Sequence, residues 1–223
     1  MDCEKPFLDL QNMITISKRA LFLALLMTLP IQSGAKSLNT VVKAFVSDAQ
    51  LEFEQEKYVG RLNGVSLSAD YEISPNFFFK YEAVTGGGSF AKSTNEYKFS
   101  QNLVYAYKSL DFDHTPFPGW HITYAVGAGV FNKQSEFRSN TYQQSQRPLF
   151  LRLEIKNSSN VKISLSGFAQ IDNVEKNRSG SLSFKFPAWK NVSLIGKYTN
   201  HTSEFGALQH CGSDYFLGFS RHF

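Results

Sequence analysis

The chain of 223 residues lacks the long apolar runs that a helical membrane protein needs. Its longest run, Ala20 to Met27, has eight residues, whereas a membrane-spanning helix takes about 20. Two cysteines are too few for a disulfide scaffold. The formal charge of +4 is modest and spread along the chain, so it does not indicate nucleic acid binding. No zinc spacing and no phosphate loop occurs, and we expect neither a metal nor a cofactor.

What the sequence has instead is apolar and aromatic material broken into short pieces. Aromatic residues make up 15% of the chain, while charged residues make up only 19%. That balance excludes a disordered chain, which needs high charge and few aromatic side chains. A folded, aromatic-rich and β-rich domain remains.

Residues 1–35 have the pattern of a secretory signal peptide. The basic pair Lys18-Arg19 precedes a short apolar stretch that ends at Pro30. Small residues follow at Ser33 and Ala35, two positions apart, as in a small-x-small cleavage site. We therefore expect export and cleavage after Ala35, with an uncleaved membrane anchor as the alternative.

The mature domain is then expected to comprise residues 36–223. Met13 is an alternative start of translation, which would shorten the leader without changing its pattern. Cleavage removes Cys3, so Cys211 of the mature chain is expected to be a free thiol or to pair with another molecule.

From residue 38 onward, apolar side chains recur at every second position, which is the period of a β-strand. The clearest stretch runs from Leu149 to Ile155, where Arg152 and Glu154 alternate with apolar residues. About ten such stretches occur, with eight as the alternative count. We expect turn-side connections at 74–76, 111–119, 157–160 and 188–191. We expect polar loops at 54–60, 86–96, 133–146, 172–180 and 204–212, with Gly86 to Gly88 as a mobile loop base. The pattern predicts an all-β, antiparallel up-and-down β-barrel.

Alternation alone does not say whether the apolar face points inward, as in a soluble barrel, or outward into lipid. Aromatic residues crowd the turn-side strand ends, as in the aromatic girdle at a bilayer interface. The predicted girdle comprises Tyr71, Phe77, Tyr107, Trp120, Phe186 and Trp189. We therefore expect a transmembrane barrel whose charged face lines the lumen. The predicted lumen charges are Asp70, Glu72, Lys80, Glu82, Lys108, Arg152, Glu154, Lys156, Lys162, Lys185, Lys197 and Asp214. Their near balance favours a plugged, ion-paired interior.

The last residues, Gly218-Phe-Ser-Arg-His-Phe223, together with the leader and the amphipathic strands, resemble bacterial outer-membrane β-barrel proteins, including the small opacity-type surface proteins. The resemblance implies an integral protein of the bacterial outer membrane, in contact with its lipid and lipopolysaccharide, and we expect a monomer. It also implies that the barrel-assembly machinery reads the last strand. The residues of that assembly signal are Tyr215, Leu217, Gly218, Phe219 and Phe223.

Three functions remain open. The first is a non-enzymatic structural or surface-interaction role through extracellular loops. In the second, His201 and Ser203 in the penultimate strand, with Asp214 in the last, are similar to the outer-membrane lipid A 3-O-deacylases. That resemblance implies that His201 is the general base, Ser203 the nucleophile and Asp214 the group that orients the histidine. The third is a narrow channel whose basic lumen passes small anions.

Overall fold

The computed structural model describes residues 37–91, 96–112, 118–170, 177–205 and 208–223. Every regular element in these ranges is a β-strand. None of the described segments is a helix long and apolar enough to cross a bilayer. The strands are β1 (Leu38–Phe53), β2 (Glu56–Ser74), β3 (Phe77–Phe90), β4 (Glu96–Asp111), β5 (Trp120–Phe137), β6 (Asn140–Gln146), β7 (Pro148–Asn157), β8 (Lys162–Gln170), β9 (Asn177–Trp189), β10 (Val192–Phe205) and β11 (Leu208–His222).

The strands form one closed antiparallel barrel. Each strand pairs with the next along the chain, except that β6 and β7 both pair with β5, and β1 pairs with β11, which closes the ring. Strands β6 and β7 lie one after the other along the same edge of β5, so they form a single strand interrupted at Arg147. The barrel therefore has ten strands, as the principal prediction has it. Closure gives the strands of the turn-side half two neighbours each. On the loop side, β6 pairs with β5 alone among the described strands.

The two ends of the barrel differ. The connections after β2, β4, β7 and β9 lie at the end that also carries Leu38 and His222, which we call the turn end. At the opposite, loop end, β1 joins β2 through Glu54 and Gln55, with φ of 53° and 68°. Two successive residues with positive φ form the tight turn that suits a β-hairpin.

Several of the predicted polar loops are in fact strands. Residues 56–60 belong to β2, and residues 133–137 and 140–146 belong to the β5–β6 hairpin. The Gly86–Gly88 run lies inside β3, so its interpretation as a mobile loop base is wrong. These segments were predicted as loops because they are polar. Outside the bilayer, however, polar residues form the backbone hydrogen bonds of a β-sheet as readily as apolar residues do inside it.

The strands are longer than a membrane requires. β2 has 19 residues and β5 has 18, whereas about 9–11 tilted residues cross the apolar slab. A substantial part of the barrel therefore extends beyond the bilayer on the loop side.

The outer surface of the turn-side half is apolar. Leu151 is 63% exposed, and Phe184 and Phe219 are also exposed on the outside. This confirms the prediction that the apolar side chains point away from the barrel axis. We call this surface the belt. It comprises Phe79, Tyr81, Tyr124, Val126, Val130, Leu149, Leu151, Leu153, Leu165, Leu182, Phe184, Leu194, Tyr198, Leu217 and Phe219. An apolar band around the outside of a closed barrel is the surface that faces lipid in a transmembrane β-barrel.

The predicted leader, residues 1–35, lies outside the described residues. Cys3 lies outside them as well, and Cys211 is buried.

Candidate functional site

The lumen holds most of the charges that the strand pattern assigns to it. The residues that face inward are Asp70, Glu72, Lys80, Glu82, Arg152, Glu154, Lys156, Lys162, Lys185, Lys197 and Asp214. Lys108 does not, because the register of β4 turns it to the outside, where it is exposed. The interior also contains Lys43 and Lys133, which the sequence analysis did not place there.

The structure exposes four of the six predicted girdle residues and places one inside the barrel. Tyr71, Phe77, Phe186 and Trp189 are exposed near the turn end. Trp120 is half-buried. Tyr107 is buried inside the barrel, where its hydroxyl donates to the carboxylate of Asp70 at 2.8 Å. The reason is that β4 turns its aromatic residues toward the lumen, opposite to the predicted face.

The loop-side half of the lumen is filled with apolar side chains. We call this cluster the plug; it comprises Ala49, Leu51, Phe53, Tyr58, Leu62, Phe90, Tyr97, Phe137 and Leu208. The Phe53 and Phe137 ring centroids are 5.9 Å apart, although β1 and β5 are not neighbours in the barrel. Their contact therefore crosses the lumen and closes it at this level.

Below the plug, Phe45 occupies space that two glycines leave open. A Cβ on Gly64 would lie 2.6 Å from the Phe45 ring, and a Cβ on Gly86 would lie 2.7 Å from it. Alanine at either position would displace the ring. The ring also contacts Phe99 and Phe216, at centroid distances of 6.0 and 5.1 Å, so the filling continues toward the middle of the barrel.

A layer of polar side chains, which we call the polar layer, lies next to the plug. Its members are Lys133, Gln144, His201, Ser203, His210 and Asp214. Lys133 Nζ lies 3.1 Å from His210 Nδ1, across the lumen from β5 to β11. Both residues lie on the loop side of the belt, since outward-facing Asn132 and Gln134 flank Lys133. Burial, then the charge of Lys133, holds the pKa of His210 well below 6.5, and burial lowers the pKa of Lys133 to about 8. His210 is therefore neutral, and its Nδ1 accepts from the lysine.

The structure joins only two of the three predicted catalytic residues. His201 Nδ1 lies 3.2 Å from Asp214 Oδ2, as a base and its orienting acid would. Ser203 is 2% exposed and donates its hydroxyl proton to Gln144 Oε1 at 3.2 Å. All three side chains face the lumen, as their strand parity indicates, and the serine hydroxyl is directed to an amide oxygen.

Near the middle of the barrel, one carboxylate holds two lysines. Glu82 Oε1 accepts from Lys43 Nζ at 3.0 Å and lies 4.0 Å from Lys197 Nζ. The hydroxyl of Ser66 also donates to Glu82 Oε1, at 3.1 Å. Buried charges of this kind persist only when they are paired and hydrogen-bonded.

The turn-side half of the lumen contains a cavity of about 620 Å³ that extends to the turn end, which we call the vestibule. The β7–β10 wall carries lysines and serines. The opposite wall carries Phe78, Tyr105 and Tyr107. A smaller space of about 70 Å³ lies beside the polar layer. In the described part of the chain, the vestibule opens toward the turn end and the plug fills the lumen at the loop end.

The predicted assembly-signal residues lie along the closing seam. Tyr215, Leu217 and Phe219 pair with β1 and face outward, whereas Gly218 faces the lumen opposite Lys43. The backbone N–H of Phe223 donates to the carbonyl of Leu38 at 2.9 Å. These contacts give the last strand a structural role in closure.

No family model and no curated protein matches the sequence. Among solved structures, Neisserial surface protein A is similar with 11% identity and a TM-score of 0.44, over 82% of this chain and 97% of that one. Ail, the attachment invasion locus protein of Yersinia pestis, has 10% identity and a TM-score of 0.37, over 83% and 98%. The outer membrane phospholipase A of Escherichia coli has 11% identity and a TM-score of 0.40, over 81% and 92%.

The closed wall and the exposed apolar belt decide the class of protein on physical grounds. A ring of strands satisfies every backbone hydrogen bond that lipid cannot satisfy. The chain is an integral β-barrel of the outer-membrane type.

Proposed function

We propose that the chain is a non-enzymatic surface protein of a bacterial outer membrane, anchored by its belt and presenting its loop end outside the cell. The plug carries this proposal. Because Phe53 and Phe137 meet across the lumen, the part beyond the bilayer is a filled, rigid support instead of a pore mouth. Binding surfaces are commonly carried on such rigid scaffolds.

The loop end is built to hold its shape. The guanidinium of Arg138, at the tip of the β5–β6 hairpin, lies 5.2 Å from the Tyr58 ring centroid and 5.7 Å from the Phe137 ring centroid. It also forms an ion pair with Glu56, at 3.3 Å. These contacts connect the hairpin tip to β2 over the plug, and they favour a preorganised surface.

The partners that follow from this role are outer-membrane lipid and lipopolysaccharide around the loop-side edge of the belt, and the barrel-assembly machinery during insertion. The chain is proposed to act as a monomer, since its own ring is closed. These partners are consistent with a barrel whose outer surface is apolar in the turn-side half and polar in the loop-side half.

A sealed lumen predicts that the purified protein gives no conductance steps in planar lipid bilayers. Phe137→Ala removes the ring that contacts Phe53, Tyr58 and Phe90, and we expect this variant to admit ions. Val59→Ala, on the outer surface at a similar height, is the matched control and should remain silent. Regular steps from the unmodified protein would support the anion-channel alternative and contradict the surface role.

The buried Ser203 hydroxyl predicts that the protein does not deacylate lipid A. Mass spectra of lipid A from cells expressing the unmodified protein or Ser203→Ala should be identical to those from cells without it. The physical reason is that the hydroxyl donates to Gln144 and faces the lumen. Loss of an ester-linked chain with the unmodified protein, and its return with Ser203→Ala, would establish the hydrolase alternative instead.

A further inference from the structure

We propose that the vestibule is a binding site for a small, soluble, anionic sugar such as a sugar phosphate, which enters from the turn end. The proposal rests on three lysines at one level of the lumen. In the strand register, Lys162 pairs directly with Lys156 on one side and with Lys185 on the other. Three ammonium groups on adjacent strands thus face the same cavity.

Such an arrangement costs stability unless an anion offsets it, because like charges directly opposite each other repel. Lys162 has Glu154 as a partner, at 2.8 Å. Lys185 donates only to the neutral amide oxygen of Asn39, at 3.4 Å, and Lys156 has no ion pair among the described residues. A phosphate or carboxylate group between these lysines would supply the missing negative charge.

The side chains that line the vestibule carry a net positive charge. The acids that face it are Asp70, Glu82 and Glu154, and the bases are Lys43, Lys80, Arg152, Lys156, Lys162, Lys185, Lys190 and Lys197. Glu82 is already shared between two lysines, and Asp70 accepts from the Tyr107 hydroxyl. The acids present therefore leave a surplus of positive charge facing the cavity.

The remaining walls suit the other parts of a sugar. The half-buried ring of Phe78 is stacked on the ring of buried Tyr107, 5.1 Å apart at an interplanar angle of 12°, and presents an aromatic platform. Across from them, the Ser164 and Ser183 hydroxyls lie 2.8 Å apart and can exchange hydrogen bonds with ligand hydroxyls. A volume of about 620 Å³ is within the range of small-molecule sites.

A soluble ligand fits better than a membrane lipid because of the barrel wall. The vestibule is enclosed on all sides by paired strands, so a lipid diffusing in the bilayer has no lateral path to the lysines. In the described residues, the vestibule extends to Asn160, Trp189 and His222 at the turn end, where water-soluble molecules can enter.

Isothermal titration of the full-length protein in neutral detergent tests the site. The probes are glucose 6-phosphate, glucose and inorganic pyrophosphate. We expect glucose 6-phosphate to bind at least tenfold more tightly than glucose, and Lys156→Gln or Lys185→Gln to weaken it about tenfold. Lys108→Gln removes the same charge from the outer surface and should leave the affinity unchanged. No heat with glucose 6-phosphate at millimolar concentration, or equal weakening by Lys108→Gln, would overturn the proposal. Pyrophosphate binding as tight as glucose 6-phosphate would overturn the part assigned to the aromatic platform.

Thermal unfolding is a second test, which distinguishes a ligand-binding lysine from one that only stabilises the fold. Without ligand, Lys185→Gln should raise the unfolding temperature, because it relieves repulsion with Lys162. With glucose 6-phosphate, the unmodified protein should gain stability, since the ligand binds only the folded state, and Lys185→Gln should gain less at the same ligand concentration. A lower unfolding temperature for ligand-free Lys185→Gln would overturn the proposed repulsion.

Discussion

Replacing Leu151 by Arg is expected to destabilise the membrane-inserted barrel by about 2–4 kcal/mol, which is the cost of a basic side chain at the lipid face near the bilayer midplane. Leu151 lies within β7 on the belt and is 63% exposed on the outside of the barrel. In a soluble barrel the same substitution would place a charge in water and cost almost nothing. The size of the effect therefore measures whether lipid covers this surface.

Val59→Arg is the matched control for that experiment. Val59 also faces outward and is 60% exposed, but it lies on β2 beyond the loop-side edge of the belt. Outer-membrane fractionation with heat-modifiable gel mobility should show a folded, membrane-inserted barrel for Val59→Arg and a strongly reduced folded fraction for Leu151→Arg. Equal tolerance of both substitutions would remove the grounds for placing the belt in a bilayer.

The sequence predicted the architecture because the period of two persists through lipid and water alike. It misassigned β4 because aromatic residues occur there on the inner face. Tyr105 and Tyr107 face the lumen opposite Gly129 and Gly127 of β5, where a Cβ would lie 2.5 and 2.6 Å from the tyrosine Cβ atoms. Glycines facing aromatic residues across two strands are a sequence signal that could have identified this face.

The change of apolar face along β1 has a related cause. Val46 faces outward in the belt region, while Leu51 and Phe53 face inward in the plug. The apolar side chains of β1 face lipid in the turn-side part of the strand and the filled lumen in the loop-side part. The apolar positions therefore change from one face of the strand to the other where β1 leaves the bilayer. The sequence shows this change of face, but it does not show which half of β1 lies in the membrane.

The lumen charges could largely be predicted by parity, whereas their partners could not. Ser203 with Gln144, and Lys133 with His210, are contacts between strands that are not neighbours. Their pairing depends on the diameter of the closed ring and on the tilt of its strands, which no local pattern specifies. For the same reason, the similarity of His201 and Ser203 to a catalytic pair did not predict the direction of the serine hydroxyl.

The Glu82→Gln variant is expected to lose about 3–5 kcal/mol of stability, the usual effect of removing one partner from a buried ion pair. The substitution keeps the shape of the side chain but leaves Lys43 and Lys197 facing each other without a counter-charge. Denaturant unfolding in detergent micelles, followed by gel mobility, measures the loss. Glu154→Gln is the comparison, since Glu154 pairs with Lys162 beside the open vestibule, where water can enter.

Adding Lys43→Met to Glu82→Gln should recover much of that stability, because it removes the buried lysine charge that the first substitution leaves without a counter-charge. Replacing both partners of a buried ion pair by apolar residues often changes stability little. Replacing only one partner is strongly destabilising, because the other charge stays buried without a counter-charge. If the double variant is as unstable as Glu82→Gln alone, Lys197 or the Ser66 hydroxyl is the group that depends on the carboxylate. If Glu82→Gln costs no more than Glu154→Gln, the Glu82 carboxylate is as well hydrated as that of Glu154, and the large cost assigned to its burial is wrong.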